Sequence, residues 1–242
     1  MTALLYSFGV GTRTLFVCFL SVSIFHITQC FLEKYPVNKI LADISKVMLM
    51  PLLLSIFLSC LGCVLSPSLL SKLIISALVF STAGDAALLF DSKKIFFLLG
   101  MIFFAFAQIS YILFSAFILL EGSVPFGKTL VAGILFTAGF LSVFLRIHTV
   151  LGNLKWAVLG YGILLCTMSF LFTVSALTYP STGTTLSAAG SVIFIISDFM
   201  VAYRQFAGRI PLGRSFVMLT YILAQTLIIL GVISLIMLGS SV

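Results

Sequence analysis

Two aspartates, Asp85 and Asp198, lie deep within stretches of sequence that are otherwise apolar enough to cross a membrane. A carboxylate at bilayer depth costs at least about 2.5–3.5 kcal/mol unless it faces a partner or a water-filled cavity. Both aspartates are therefore candidates for a functional site. The four other acidic residues fall in or beside the polar connections: Glu33, Asp43, Asp91 and Glu121.

Two carboxyl groups that share a low-dielectric site cannot both ionise cheaply. We expect one of them to stay protonated near neutral pH while the other is charged. A hydrolase acting on an acetal or an enol ether uses this arrangement, and so does a proton-coupled transporter of a lipid or small solute. Composition does not separate these two functions, and a structural or lipid-binding membrane protein is a third interpretation.

Polar residues near the two aspartates have the spacing of helix faces, on which positions three and four apart are neighbours. Ser81 precedes Asp85 by one helical turn, and Ser197 adjoins Asp198. The helix predicted after each aspartate carries a tyrosine and a glutamine: Gln108 and Tyr111 in the first case, Tyr221 and Gln225 in the second. We predict that these side chains bind substrate or water. Hydrogen bonds between helices are the alternative explanation.

Basic residues near the ends of the predicted helices are candidate ligands for a phosphate head group, because guanidinium groups make bidentate contacts with phosphate. These candidates are Lys46, Arg204, Arg209 and Arg214. Ordinary membrane anchoring by positive charge is the alternative. His26 and His148 are interpreted as isolated, and Cys60 and Cys63 form a C-x-x-C without a second pair. We therefore expect no metal site and no cofactor.

The composition is that of an integral membrane protein. Of 242 residues, 62% are hydrophobic and 8% charged, whereas a soluble domain carries about 25% charged residues. The mean hydropathy is +1.31, and about 20 apolar residues suffice to cross a bilayer. The predicted fold is all-α, a polytopic membrane helix bundle forming one domain over residues 1–242. The pattern predicts about eight transmembrane helices, at 14–31, 47–65, 69–90, 95–119, 129–146, 154–177, 185–204 and 215–238.

The net charge of +7 comes from thirteen basic residues spread among the loops, so we expect no nucleic-acid partner. With eight spans, ten of these thirteen residues fall on one side of the membrane. The positive-inside rule then predicts that both termini lie outside the cytoplasm. No cleavable signal peptide is expected, because the first apolar run continues to Phe31 without a small-residue cleavage motif. The expected location is a bacterial inner membrane or an endomembrane.

Three short segments carry a resemblance to a known family. They are Ser-Thr-Ala-Gly-Asp-Ala-Ala-Leu-Leu at 81–89, Phe-Ile-Ile-Ser-Asp at 194–198 and Tyr-Ile-Leu-Ala-Gln at 221–225. With Gly100, Tyr111 and Arg214, they make the sequence resemble the YhhN/lysoplasmalogenase family of multi-pass membrane proteins over roughly residues 40–235.

The resemblance implies hydrolysis of the vinyl ether bond of a lysoplasmalogen, giving a fatty aldehyde and glycerophosphoethanolamine or glycerophosphocholine. It implies Asp85 and Asp198 as the catalytic carboxyl groups, and a lysophospholipid and membrane lipids as partners. Members of this family often carry His where this chain has Gln108, so no base role is expected at that position. Protonation of a vinyl ether is a step that general acid catalysis accelerates by about 10²–10⁴-fold.

Overall fold

A computed structural model describes residues 9–32, 39–62, 68–90, 94–120, 122–206, 208 and 212–239. Over these residues the protein has eight helices, each long and apolar enough to cross a membrane, and no strand. The predicted all-α membrane fold is therefore confirmed. The helices are α1 (Val10–Phe31), α2 (Lys39–Leu61), α3 (Leu69–Ala87), α4 (Lys94–Leu119), α5 (Phe126–Ile147), α6 (Lys155–Thr178), α7 (Thr182–Phe206) and α8 (Gly213–Gly239).

The helix boundaries differ most from the sequence-based prediction at α2 and α3. Helix α2 begins at Lys39 rather than at residue 47 and ends at Leu61 rather than at residue 65. Asp43 therefore lies in the first turns of α2. Helix α3 ends at Ala87, and a 3₁₀ turn (Leu88–Phe90) replaces the last α-helical turn that the pattern predicted. The early ending places Asp85 in the last turn of α3.

Two helix starts show why the chain folds into these elements. Ser68 caps α3, since its side chain accepts a hydrogen bond from the backbone N–H of Ser71 at 3.2 Å. Ser181 caps α7 in the same way, accepting from the backbone N–H of Thr184 at 3.1 Å. The Thr184 hydroxyl in turn accepts a hydrogen bond from the backbone N–H of Ser181 at 3.0 Å. These bonds satisfy N–H groups that have no partner within their own helix.

His26 is not isolated, contrary to the sequence interpretation. Its Nδ1 lies 2.9 Å from the hydroxyl of Ser45 on α2. Its Nε2 lies 3.6 Å from the Cys30 sulfur, one turn along α1. The buried ring therefore ties α1 to α2. Among the described residues, no three His, Cys, Asp or Glu side chains are grouped so that they could hold a metal ion.

Several residues singled out from the sequence lie outside the described part of the chain. They are Glu33, Cys63, Asp91, Glu121 and Arg209.

The chain divides into two compact units, Met1–Ser110 with Ile233–Val242 and Tyr111–Val232. In the first unit, α3 and the first part of α4 are antiparallel. Ser76 donates a hydrogen bond to Ser110 at 2.8 Å, and Phe80 stacks on Phe106 with ring centroids 5.2 Å apart. In these two pairs, the higher residue number on α3 meets the lower residue number on α4, as in antiparallel helices.

In the second unit, α6 and α7 are antiparallel, and Ser169 donates to the backbone carbonyl of Ser191 at 2.8 Å. Small residues bring α7 against α8. A Cβ at Gly190 would lie 2.7 Å from the backbone oxygen of Ala224. Helix α5 meets α6 through the rings of Phe136 and Phe170, whose centroids are 6.3 Å apart.

Candidate functional site

In the second unit, Asp198 on α7 is paired with Tyr161 on α6. The Tyr161 hydroxyl donates a hydrogen bond to Oδ2 of the carboxylate, and both residues are half-buried. Sequence reasoning missed Tyr161, because no helical spacing links it to the other polar residues. A signal was present in its flanking glycines, Gly160 and Gly162. Gly162 leaves room for the ring of Phe140, to which a Cβ would come within 2.5 Å.

Asp198 and Tyr161 line a cavity of about 400 Å³ among α5, α6 and α7. The other lining side chains are almost all apolar, and among the described residues Asp198 is the one charged residue on the wall. The apolar lining includes Leu135, Phe140 and Ile195. A half-buried carboxylate thus has a hydrogen-bond donor beside it, which lowers the cost of a charge at membrane depth.

The residue before Asp198 fixes how its helix packs. Ser197 donates a hydrogen bond to the backbone carbonyl of Val217 on α8 at 3.2 Å. One turn earlier, Phe194 meets Tyr221 edge to face, with ring centroids 5.7 Å apart. These contacts orient α7 against α8 and leave Asp198 on the side that faces α6. Ser197 therefore has a positioning role that the sequence did not indicate.

Asp85 belongs to the first unit and is 2% exposed. The preceding Gly84 is a point of close approach, since a Cβ there would lie 2.7 Å from the Phe104 ring on α4. Ser81, one turn before Asp85, is fully buried on the same helix. In each unit, the small residue just before the aspartate is thus where its helix meets the next one. This is the structural reason for the Gly-Asp and Ser-Asp pairs.

Gln108 on α4 is a buried polar side chain of the first unit. It has no exposed surface, and neither its Oε1 nor its Nε2 has a hydrogen-bond partner among the described residues. From the antiparallel register of α3 and α4, Gln108 lies about 9 Å along the helix axis from Asp85. An unpaired buried amide costs about 1–3 kcal/mol. A cost of that size marks Gln108 as a site candidate.

Three further candidates cluster in the core of the second unit. The Tyr111 hydroxyl donates to Oε1 of Gln225 at 2.8 Å, and the ring of Tyr111 packs on Phe172. Tyr221 is one turn before Gln225 on α8 and is 5% exposed. The hydrogen bond between Tyr111 and Gln225 gives both side chains a structural role. Their binding of substrate stays a prediction.

The three basic candidates among the described residues differ in setting. Lys46 is half-buried on α2 in the first unit. Arg214 is exposed on the first turn of α8 in the second unit. Arg204 lies in the last turn of α7, six residues beyond Asp198.

Comparison with known families gives one result. The model of the YhhN family matches residues 41–232, a range that contains every candidate described above from Lys46 to Gln225. No match was found among curated proteins or among solved structures. Since the family model covers most of the chain, this protein belongs to the YhhN family.

Proposed function

We propose that this protein is a membrane hydrolase that cleaves the vinyl ether bond of a lysoplasmalogen. Membership of the YhhN family supports a lysoplasmalogenase-like protein. The observation that carries the proposal is the hydrogen bond from Tyr161 to Asp198 on the wall of an apolar cavity. A carboxylate and an adjacent hydrocarbon-lined space are what a reaction at the polar end of an alkenyl chain requires.

The chemistry needs proton transfers and one water molecule. A carboxylic acid gives its proton to the β-carbon of the vinyl ether, which leaves a positive charge shared by the α-carbon and the ether oxygen. Water then bonds to the α-carbon and loses a proton to a carboxylate. The resulting hemiacetal breaks into the aldehyde and the glycerol hydroxyl, so the substrate is neither oxidised nor reduced.

In this proposal Asp198 is the carboxylate, and the family resemblance implies Asp85 as a second catalytic carboxyl group. An ionised carboxylate only accepts hydrogen bonds, which suits the bond that Asp198 accepts from Tyr161. Its negative charge would stabilise the oxocarbenium ion, since fixed charges act strongly in a site with little water.

The helices favour an enzyme over a transporter. Many secondary transporters bind their substrate at broken helices near the membrane midplane. Here none of the eight described spans is broken near its middle, because the 3₁₀ turn of the third span lies at its end and Pro51 lies inside α2 without ending it.

The test is aldehyde release from a lysoplasmalogen by purified protein in detergent. Asp198→Asn and Asp85→Asn should each lower kcat by about 10²–10⁴-fold, the range of general acid–base catalysis. Asp43→Asn is the matched control, because Asp43 is the third acidic residue among the described residues and is not assigned a role. Thermal unfolding of each variant shows whether it is folded.

Unchanged turnover in both folded variants would remove the catalytic assignment. Proton flux in liposomes without any aldehyde would instead support the transporter.

A further inference from the structure

The chemical groups of the second unit follow a fixed order along its helices. Tyr161 meets Asp198, and Gly162 meets Phe140, so these residues lie at about one level of α5, α6 and α7. From that level the cavity extends along α5 to Leu135. The distance from Phe140 to Leu135 is five residues, or about 7.5 Å of helix rise. The lining also continues past this level in the other direction, to Ile147 and Ala202, so Asp198 lies between the two ends of the cavity.

Basic residues lie on the side of Asp198 that is opposite to Leu135. Arg146 is in the last turn of α5 and Arg204 in the last turn of α7. Lys155 is the first residue of α6, with its Nζ 5.2 Å from the ring centroid of Trp156. Because neighbouring helices are antiparallel, these three residues share one end of the unit. They are about 5–9 Å along the helix axes from the level of Asp198.

We infer that the second unit binds a single-chain phospholipid, with its phosphate at Arg146, Lys155 and Arg204 and its hydrocarbon chain in the cavity toward Leu135. This inference rests on the proposed function and specifies how the substrate is bound. The ether oxygen of such a lipid lies between its phosphate and its chain, separated from the phosphate by a three-carbon glycerol. In the protein, Asp198 and Tyr161 lie between the basic end and the part of the cavity that reaches Leu135.

The dimensions and the charge support this occupant. One leaflet of the hydrocarbon core is about 15 Å thick, so a space of about 7.5 Å along α5 holds about half of one chain. Asp198 is the single acidic residue of 122–232, and the basic residues of that range concentrate at one end, with Lys128 alone near the start of α5. An anionic head group is therefore favoured at the end that carries Arg146.

Photolabelling of the unmodified protein tests the orientation. The probe is a lysophosphatidylethanolamine with a saturated ether, which the proposed reaction cannot cleave. A diazirine at the end of its chain should label residues near Leu135, and one beside the ether should label residues near Val143 and Phe144, which also line the cavity. Reversed positions, or labels spread over all lipid-facing helices, would overturn the inference.

Two glycines provide a matched pair of variants for the chain. Gly139 lines the cavity, Gly160 does not, and a Cβ at either position would meet no atom within 4 Å. Gly139→Leu should lower the labelling about tenfold, because the new side chain takes the place of several methylene groups. Gly160→Leu should leave the labelling unchanged. Equal labelling in both variants would place the chain elsewhere.

Removal of the three positive charges tests where the phosphate of the head group binds. The triple variant Arg146→Gln, Lys155→Gln and Arg204→Gln should weaken binding of the lysophospholipid but not of the matching alkylglycerol, which lacks phosphate. Lys128→Gln is the control at the opposite end of α5. An equal effect on both ligands would contradict the inference.

These experiments separate the inference from the proposed hydrolysis. Labels in the cavity without aldehyde release would keep the binding site and reject the enzyme. If Gly139→Leu releases aldehyde at an unchanged rate and no label is found in the cavity, the proposed hydrolysis is supported and the proposed binding site is rejected.

Discussion

The hydrogen bond between Tyr161 and Asp198 makes a quantitative prediction for the variant Tyr161→Phe. Phenylalanine keeps the ring on the cavity wall and removes one O–H donor to the carboxylate. Hydrogen bonds to charged groups contribute about 1.5–3 kcal/mol. Both residues are half-buried, so the lower part of this range, about 1.5–2 kcal/mol, applies. That range corresponds to a loss of about 10- to 30-fold in rate.

The assay is kcat/KM for aldehyde release, measured in a double-mutant cycle with Asp198→Asn. If Tyr161 acts by holding the carboxylate, its removal should matter much less when residue 198 is asparagine, which carries no charge. Tyr203→Phe is the matched control, because Tyr203 is on the same helix and contacts Phe199 through its ring. We expect this control to keep full activity.

Two results would refute this reasoning. One is full activity of Tyr161→Phe while Asp198→Asn is inactive, since the carboxylate would then not depend on the phenol. The other is a set of rate losses that multiply in the double variant, since Tyr161 and Asp198 would then act independently.

Two further predictions concern the helix contacts. Gly190→Ala should destabilise the protein by about 1–3 kcal/mol, because its Cβ would meet the backbone of α8. Gly160→Ala should instead stabilise it by up to about 1 kcal/mol through helix propensity. Thermal unfolding in detergent compares the two variants, and equal stability would contradict the close packing of α7 on α8. Tyr111→Phe should cost about 0.6–1.7 kcal/mol, since Gln225 loses its donor. If Tyr111 is only structural, the KM of this variant should not change, and a large rise in KM at unchanged stability would instead indicate contact with substrate.

The fold could be predicted from the sequence because it depends on hydrophobic length and charge. Long apolar runs give helices, and the polar breaks between them fall where backbone groups reach water. The starts and ends were less accurate. The extra turns of α2 at Lys39 carry charged residues, and the change from α-helix to 3₁₀ turn after Ala87 has no counterpart in the apolar pattern.

The site was predictable only in part, for a related reason. An aspartate in an apolar run stands out because its burial is costly, so Asp85 and Asp198 could be identified individually. Tyr161 could not, because a single tyrosine in a span costs little and its partner is on another helix. Its relevance depends on the register of α6 against α7, which the Ser169 hydroxyl and the neighbouring apolar packing set. Registers of this kind are not encoded in any one segment.

Gln108 offers the clearest separation of stability from function. Its amide is buried without a hydrogen-bond partner among the described residues, so Gln108→Leu should remove a cost of about 1–3 kcal/mol at similar volume. A residue kept at the expense of stability is often kept for activity. We therefore expect Gln108→Leu to raise the thermal unfolding temperature and to lower kcat for aldehyde release. Higher stability with unchanged kinetics would show that Gln108 has no part in the reaction. Lower stability would show that its amide is paired in the folded protein.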